Sequence, residues 1–353
     1  MLIPGLLIAA ACVVIAFATA LLIRRRAGRL GLVAEVGERS SHARPTPTAG
    51  GVGIVLAGTL AGLCIAVRYP LELGPVLLAG VLIAIIGYWD DRRPIPAGWR
   101  LGAQVLLAGA IAVTLPLEIL GPRLGIALPE PVFLALLVLA WALWINLYNF
   151  MDGIDGLAAS EAIFLVLAAL FVAWWFQPAV YDQGLFWWMV WLAAACLGFL
   201  LLNWAPAKIF MGDVGSTWLG LMLFFFALAT IAGGWLTLGQ WLILAAAFLA
   251  DSLVTLGRRA LDREPVWQPH RRHAYQNLQR RLGSHAGATL VYLGIDLVLL
   301  LPLAWLAGAY RQLDWLLLVI AYAVLVPLAL MAGAGAPLQP QAEEERPGAD
   351  DRQ

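Results

Sequence analysis

Residues 131–176 read PVFLALLVLAWALWINLYNF-MDGIDG-LAASEAIFLVLAALFVAWWF. Two long apolar runs flank a short segment, Met151 to Gly156, that carries two aspartates and two glycines. About twenty consecutive apolar residues are what a helix needs to cross roughly 30 Å of hydrocarbon. The stretch therefore reads as two membrane helices joined by an acidic connection.

The same pattern continues in both directions. Spans are expected near 3–23, 51–67, 72–89, 101–120, 131–149, 157–176, 185–203, 216–232, 236–256, 286–307 and 314–333. Hydrophobic residues make up 62% of the chain and charged residues 12%, against roughly half and a quarter in soluble domains. Sixteen Trp fit a chain with two membrane interfaces. The expectation is an all-α polytopic membrane protein of about eleven transmembrane helices. A single transmembrane catalytic domain covers 1–338, and 339–353 form a polar, disordered tail. The longest polar loop, 257–285, is too short for a core of its own.

Arg24, Arg25 and Arg26 follow the first apolar run rather than precede it, so that run reads as a retained helix and not a secretory signal. With the N-terminus outside, 19 of the 22 basic residues fall on the cytoplasmic side, and only Arg68, Arg123 and Arg311 on the other. An odd number of spans places the C-terminus in the cytoplasm. Cys12, Cys64 and Cys196 lie in apolar stretches and suit neither disulfides nor a zinc site. The net charge of zero points to no nucleic-acid partner.

Five polar clusters fall on the expected cytoplasmic side. Asp90 and Asp91 close the third span, where acids oppose the helix dipole; the bland reading is a solvated helix end answered by Arg92 and Arg93. Asn146, Asn149, Asp152 and Asp155 recur every three residues, a spacing that keeps neighbours on one helical face. Such hard oxygen ligands suit Mg²⁺ or Mn²⁺. Met211-Gly212-Asp213-Val214-Gly215-Ser216-Thr217 precedes the eighth span, with Ser216 or Thr217 placed to cap a helix whose N–H groups favour an anion. Around Pro269-His270-Arg271-Arg272-His273, Arg and His suit phosphate oxygens, although a positive-inside loop needs no further function. The first loop, Glu38 to Gly51, offers at most an anion contact. Together these groups suit a metal-bound diphosphate.

These motifs, in this order, resemble the polyprenyl-phosphate N-acetylhexosamine-1-phosphate transferases of glycosyltransferase family 4, the MraY- and WecA-like enzymes. The resemblance runs from Arg39 to about Arg281. Glu38-Arg39-Ser40-Ser41-His42 and His270-Arg271-Arg272-His273-Ala274-Tyr275-Gln276 look closest to the O-antigen-initiating WbpL branch, and the three consecutive His of MraY are absent. The resemblance implies transfer of a sugar-1-phosphate from a UDP-N-acetylhexosamine to undecaprenyl phosphate, releasing UMP, at the cytoplasmic face of the bacterial inner membrane. It implies Mg²⁺, with Mn²⁺ as substitute, held by Asp213 and Asn149. Catalytic carboxylates would be Asp90 and Asp91 toward the lipid phosphate and Asp152 and Asp155 toward the nucleotide. Phe210 would stack on uracil. Arg39, His42, Asn146, His270, Arg272 and His273 would contact substrate. Membrane lipids are further partners, and a homodimer is compatible with it.

The rival class is a transporter with an acidic cytoplasmic ion site, since acids inside spans mark ion paths. Asp251 and Asp296 stand inside spans nine and ten, and Asp296 has no evident partner in the sequence. No internal repeat supports that rival. A CDP-alcohol phosphotransferase would need Asp-Gly-x-x-Ala-Arg, and no Arg follows Asp152-Gly153-Ile154-Asp155.

Overall fold

The computed structural model describes residues 2–34, 45–67, 70–265, 268 and 270–337. Arg39, His42 and the expected tail lie outside the described residues. The rest is almost entirely helical: α1 (Leu2–Leu30), α2 (Val52–Ala66), α3 (Pro70–Arg92), α4 (Ala97–Ala112), α5 (Leu117–Arg123), α6 (Glu130–Phe150), α7 (Leu157–Phe176), α8 (Gly184–Asn203) and α9 (Asp213–Ala232). Then follow α10 (Leu238–Leu244), α11 (Ala246–Leu261), α12 (Ala274–Leu282), α13 (His285–Ile295), α14 (Leu301–Ala309) and α15 (Asp314–Met331). A two-residue antiparallel ladder, Val33–Ala34 with Thr46–Pro47, is the only sheet among the described residues.

Every expected span falls on helix, but not every one is a single long helix. Eight are long and apolar enough to cross a bilayer, with α13 running into α14 through a π-helical turn at Asp296–Leu300. The stretch at 101–120 is a pair, α4 and α5, bent by 102°, and that at 236–256 is α10 and α11, bent by 76°. Counting each pair as one span gives ten. The remaining stretch is α2, 15 residues long. It begins where Gly51 packs on Gly215 at the start of α9, and Ile65 near its other end lines a cavity shared with Ala229 near the end of α9. It thus runs alongside α9 through most of the bundle's depth. One helix was not expected: α12, inside the 257–285 loop.

The chain is a multi-pass membrane protein. Its central spans are α7 and α9, and α1, α13–α14 and α15 lie at the periphery. Without a hydrophobic drive between helices in lipid, close approach of small residues does the packing. Gly53 of α2 meets the Ala16 carbonyl of α1, and Gly198 of α8 meets that of Val13. Three buried indole N–H groups donate to backbone carbonyls of other helices: Trp188 to Gly58, Trp191 to Gly5 and Trp141 to Leu221. Asp296 also acquires a partner. It lies against Glu161 of α7, both side chains are buried, and their four oxygens take no hydrogen bond from any other described group.

Candidate active site

Four helices deliver polar groups to one end of the bundle. Asp90 and Asp91 end α3, Arg100 stands in the first turns of α4, Asn149 ends α6 and Asp213 begins α9. Arg100 is the hub. Its Nη1 lies 2.6 Å from Asp90 Oδ2 and 3.0 Å from Asp213 Oδ2. The other oxygen of Asp90 accepts from the Ile95 N–H at 2.6 Å, closing the turn that follows α3. The other oxygen of Asp213 accepts from Asn149 Nδ2 at 2.9 Å, and the same amide reaches Ser216 Oγ at 2.8 Å.

Asp91 has a different task. Its Oδ1 accepts from the Asp213 N–H at 2.9 Å and its Oδ2 from the Val214 N–H at 3.2 Å. A carboxylate from α3 therefore caps α9. The expectation that Ser216 or Thr217 would cap this helix is corrected: α9 starts earlier, and both hydroxyls donate back to carbonyls four residues before them, Gly212 and Asp213. Nor is that helix start left open for an anion, since the Asp91 side chain occupies it. Gly212, at φ +75°, must be glycine here, because a Cβ would also run into the Asp91 carboxylate.

The every-third-residue pattern does not lie on one helix. Helix α6 ends at Phe150, so Asp152 and Asp155 belong to the loop beyond it. Asn146 turns away from the acids and donates to Gln104 Oε1 at 2.5 Å and to the Ala142 carbonyl. Asp152 keeps part of its surface open yet is surrounded by protein. Burial, then the carboxylates of Asp213, Asp91 and Asp155, pushes its carboxyl well above the usual range. Asp155 is buried and ties the loop down. Its Oδ2 accepts from Ala207 N at 2.9 Å, its N–H donates to His285 Nδ1 at 3.2 Å, and its carbonyl accepts from Thr289. His285, which closes the basic loop, was not among the expected site residues.

The 257–285 loop folds over Asp251. That acid accepts from the Ala274 and Tyr275 N–H groups at 2.8 and 3.0 Å and from the Tyr292 hydroxyl at 2.7 Å. His273 Nδ1 is 3.2 Å from the same carboxylate and His273 is 2% exposed, so its ring holds the loop and does not face a ligand, contrary to expectation. His270 stacks on His273 at 4.8 Å. Burial, then the neighbouring His273, Arg259 and Arg272, lowers the His270 imidazole to about 3. Arg272 pairs with Glu264 Oε1 at 2.6 Å, and that pairing, then Arg259, holds Glu264 below the usual carboxylate range. The loop reaches the acidic site through Phe150, whose ring lies within 6.5 Å of both imidazoles and whose carbonyl accepts from the Tyr275 hydroxyl.

The first loop reaches the site as backbone. Phe210 N donates to Pro47 O at 2.8 Å, Gly50 N to Phe210 O at 2.9 Å and Gly51 N to Met211 O at 2.9 Å. Pro45-Thr46-Pro47 and Gly50-Gly51 thereby position the Gly212-Asp213 turn and half-buried Phe210.

Among the described residues, no three carboxylate, thiol or imidazole groups converge as a ready-made metal cage. The donor set still fits Mg²⁺, which is commonly bound through one or two carboxylates together with substrate phosphates. Asp90 and Asp213 already share a cation, the Arg100 guanidinium.

The sequence model described as glycosyl transferase family 4 matches residues 73–231, which include Asp90, Asp91, Arg100, Asn149, Asp152 and Asp213. The chain is 33% identical over 322 residues to a decaprenyl-phosphate N-acetylglucosaminephosphotransferase of Mycobacterium tuberculosis, covering 78% of this chain and 76% of that protein. A phospho-N-acetylmuramoyl-pentapeptide-transferase of Moorella thermoacetica is 36% identical over 60% of this chain and 69% of its own length. A probable undecaprenyl-phosphate N-acetylglucosaminyl 1-phosphate transferase of Bacillus subtilis is 26% identical over 91% of both chains.

Proposed function

The chain belongs to glycosyl transferase family 4, and from that premise we propose that it transfers an N-acetylhexosamine-1-phosphate from a UDP-sugar to undecaprenyl phosphate, initiating a surface polysaccharide of the O-antigen kind at the cytoplasmic face of the inner membrane. The observation that carries the reading is the Asp90–Arg100–Asp213 array, with Asn149 and Asp152 beside it, at one end of a membrane bundle. A lipid-borne phosphate and a soluble diphosphate meet naturally at such an end.

An oxygen of the lipid phosphate forms a bond to the β-phosphorus of the UDP-sugar. The bond from that phosphorus to the bridging oxygen breaks, and UMP leaves with the electron pair. Asp213, Asp90 and the carbonyl oxygen of Asn149 are the groups that would hold Mg²⁺, which when bound neutralises diphosphate charge. Arg100 supplies a cation suited to phosphate oxygens within reach of the same carboxylates. His270, kept neutral, offers hydrogen bonds rather than charge to the sugar or diphosphate, and Phe210 offers a ring for uracil. The lipid phosphate is already ionised near neutral pH, so no base is required. Asp91 and Asp155 position the site instead of reacting.

Asp251 and the buried Glu161–Asp296 pair are the acids a transporter would use, but the relatives the chain matches are named as phosphotransferases. The acids around Arg100 gather at one end of the bundle, whereas a transporter places its site at the midplane. The test is purified protein with undecaprenyl phosphate, Mg²⁺ and a panel of UDP-sugars. The expected products are UMP and a lipid-diphospho-sugar; release of UDP, or no turnover with any sugar, would overturn the reading.

A further inference from the structure

At the other end of the bundle lies a cavity of about 510 Å³, lined by Arg123, Gln177, Gly234, Thr237 and Arg311 among others. Helix α9 runs from Asp213 to its rim at Ile231, a path of about 30 Å at helical rise. Four separate segments meet there: the end of α5, the end of α7, the α9–α10 turn and the turn before α15.

Two of the three basic residues that the sequence assigns to this face converge on this one cavity, and among the described residues no carboxylate lines it. Arg123 has a structural reason to be present. Its Nη1 donates to the Ile231 carbonyl at 3.0 Å, answering the C-terminal end of α9. One guanidinium suffices for that. Arg311 is exposed and Asp314, in the next turn of its own segment, acts on it; the Asp314 side chain also hydrogen-bonds Thr237 of the cavity wall, so two arginines face one neighbouring acid there. Gln177 Nε2 donates to the Gly234 carbonyl at 2.8 Å and holds the glycine turn that forms the wall.

The surroundings fix the depth. Trp174 and Trp175 on α7, Tyr310 beside Arg311 and Trp315 on α15 all expose their rings. Aromatic side chains of this kind sit at headgroup level. A pair of guanidinium groups in a pocket of several hundred Å³ at that level matches a phosphodiester with uncompensated negative charge.

We propose that this cavity binds the phosphate of an anionic phospholipid headgroup in the leaflet opposite the catalytic end. A zwitterionic lipid carries its own ammonium and gains less from the two arginines. The site lies outside the transfer chemistry, so the proposal stands or falls independently of the sugar and of the acceptor.

The test uses the full-length protein in phosphatidylcholine nanodiscs, with native mass spectrometry counting retained lipid. Phosphatidylglycerol, additional phosphatidylcholine and inorganic phosphate are titrated separately. Retention of phosphatidylglycerol over phosphatidylcholine by roughly tenfold, the size of one charge-assisted hydrogen bond, is expected. Arg311→Gln should remove most of that preference and Arg311→Lys should keep part of it. Arg123→Lys, which preserves a donor for Ile231, should weaken it. Unaltered thermal unfolding of Arg311→Gln shows that the variant is folded. Equal retention of both lipids, an Arg311→Gln variant that keeps the preference, or binding of inorganic phosphate without phosphatidylglycerol would each overturn the proposal.

Discussion

Asp91 closes the helix that Asp213 opens: its two carboxylate oxygens accept from the Asp213 and Val214 N–H groups at 2.9 and 3.2 Å. The two acids are neighbours with separable duties. Asp213→Asn should leave the thermal midpoint nearly unchanged while lowering turnover roughly a hundredfold or more, the usual loss when one charge stabiliser is removed. Asp91→Ala should lower stability by about 1 kcal/mol, as loss of a helix cap does. Activity and unfolding of the two variants in one detergent decide it. An Asp91→Ala protein of full stability and no turnover would make Asp91 a reacting group.

Arg100 bridges Asp90 and Asp213. In Arg100→Gln the two carboxylates face each other without their cation, and Mg²⁺ should become the larger stabiliser of the fold. Thermal unfolding across a Mg²⁺ titration, with no substrate present, should show a greater rise for the variant than for the parent. Equal rises would place the metal elsewhere.

The His270 imidazole is lowered to about 3 from an ordinary value of about 6.5. Between those values the native protein binds fewer protons than the unfolded chain. The stability tied to this residue is therefore full above pH 6.5 and is lost as pH falls toward 3. His270→Gln should lose less stability than the parent on acidification through that window. A histidine resonance of His270 that titrates near neutrality would refute the assignment.

Arg123 and Arg271 mark opposite ends of the bundle. A cysteine placed at 123 should react with an impermeant maleimide in intact cells, and one at 271 only after permeabilisation. The background should lack Cys64, the one exposed native thiol. Labelling at 271 in intact cells would invert the arrangement.

The membrane helices were legible because burial in lipid demands long apolar runs, and nothing else in the sequence produces them. What the runs concealed were bends: α4–α5 and α10–α11 carry the apolar count of a straight span. Asn149, Asp90 and Asp213 were legible as polar groups crowding helix ends, and the structure brings them together around Arg100. Arg100 was not, because a lone arginine near a helix start reads as positive-inside topology. Its partner Asp213 lies 113 residues away. His273 misled for the converse reason: in a basic loop it resembled a ligand contact, and only the fold shows Asp251 beneath it. Glu161 was missed because one acid scarcely alters an apolar average, although it is the neighbour that Asp296 lacked on paper.

A Cβ at Gly51 would overlap the Cα of Gly215, and one at Gly215 would overlap that of Gly51. Neither residue offers a side chain to any substrate, yet neither can accept even a methyl group without prising two backbones apart. In a saturation-mutagenesis screen for activity, both positions should tolerate nothing, and paired substitutions should not rescue them, because each change adds bulk to the same seam. An inhibitor resting against that seam would meet a surface from which single-residue resistance is sterically barred.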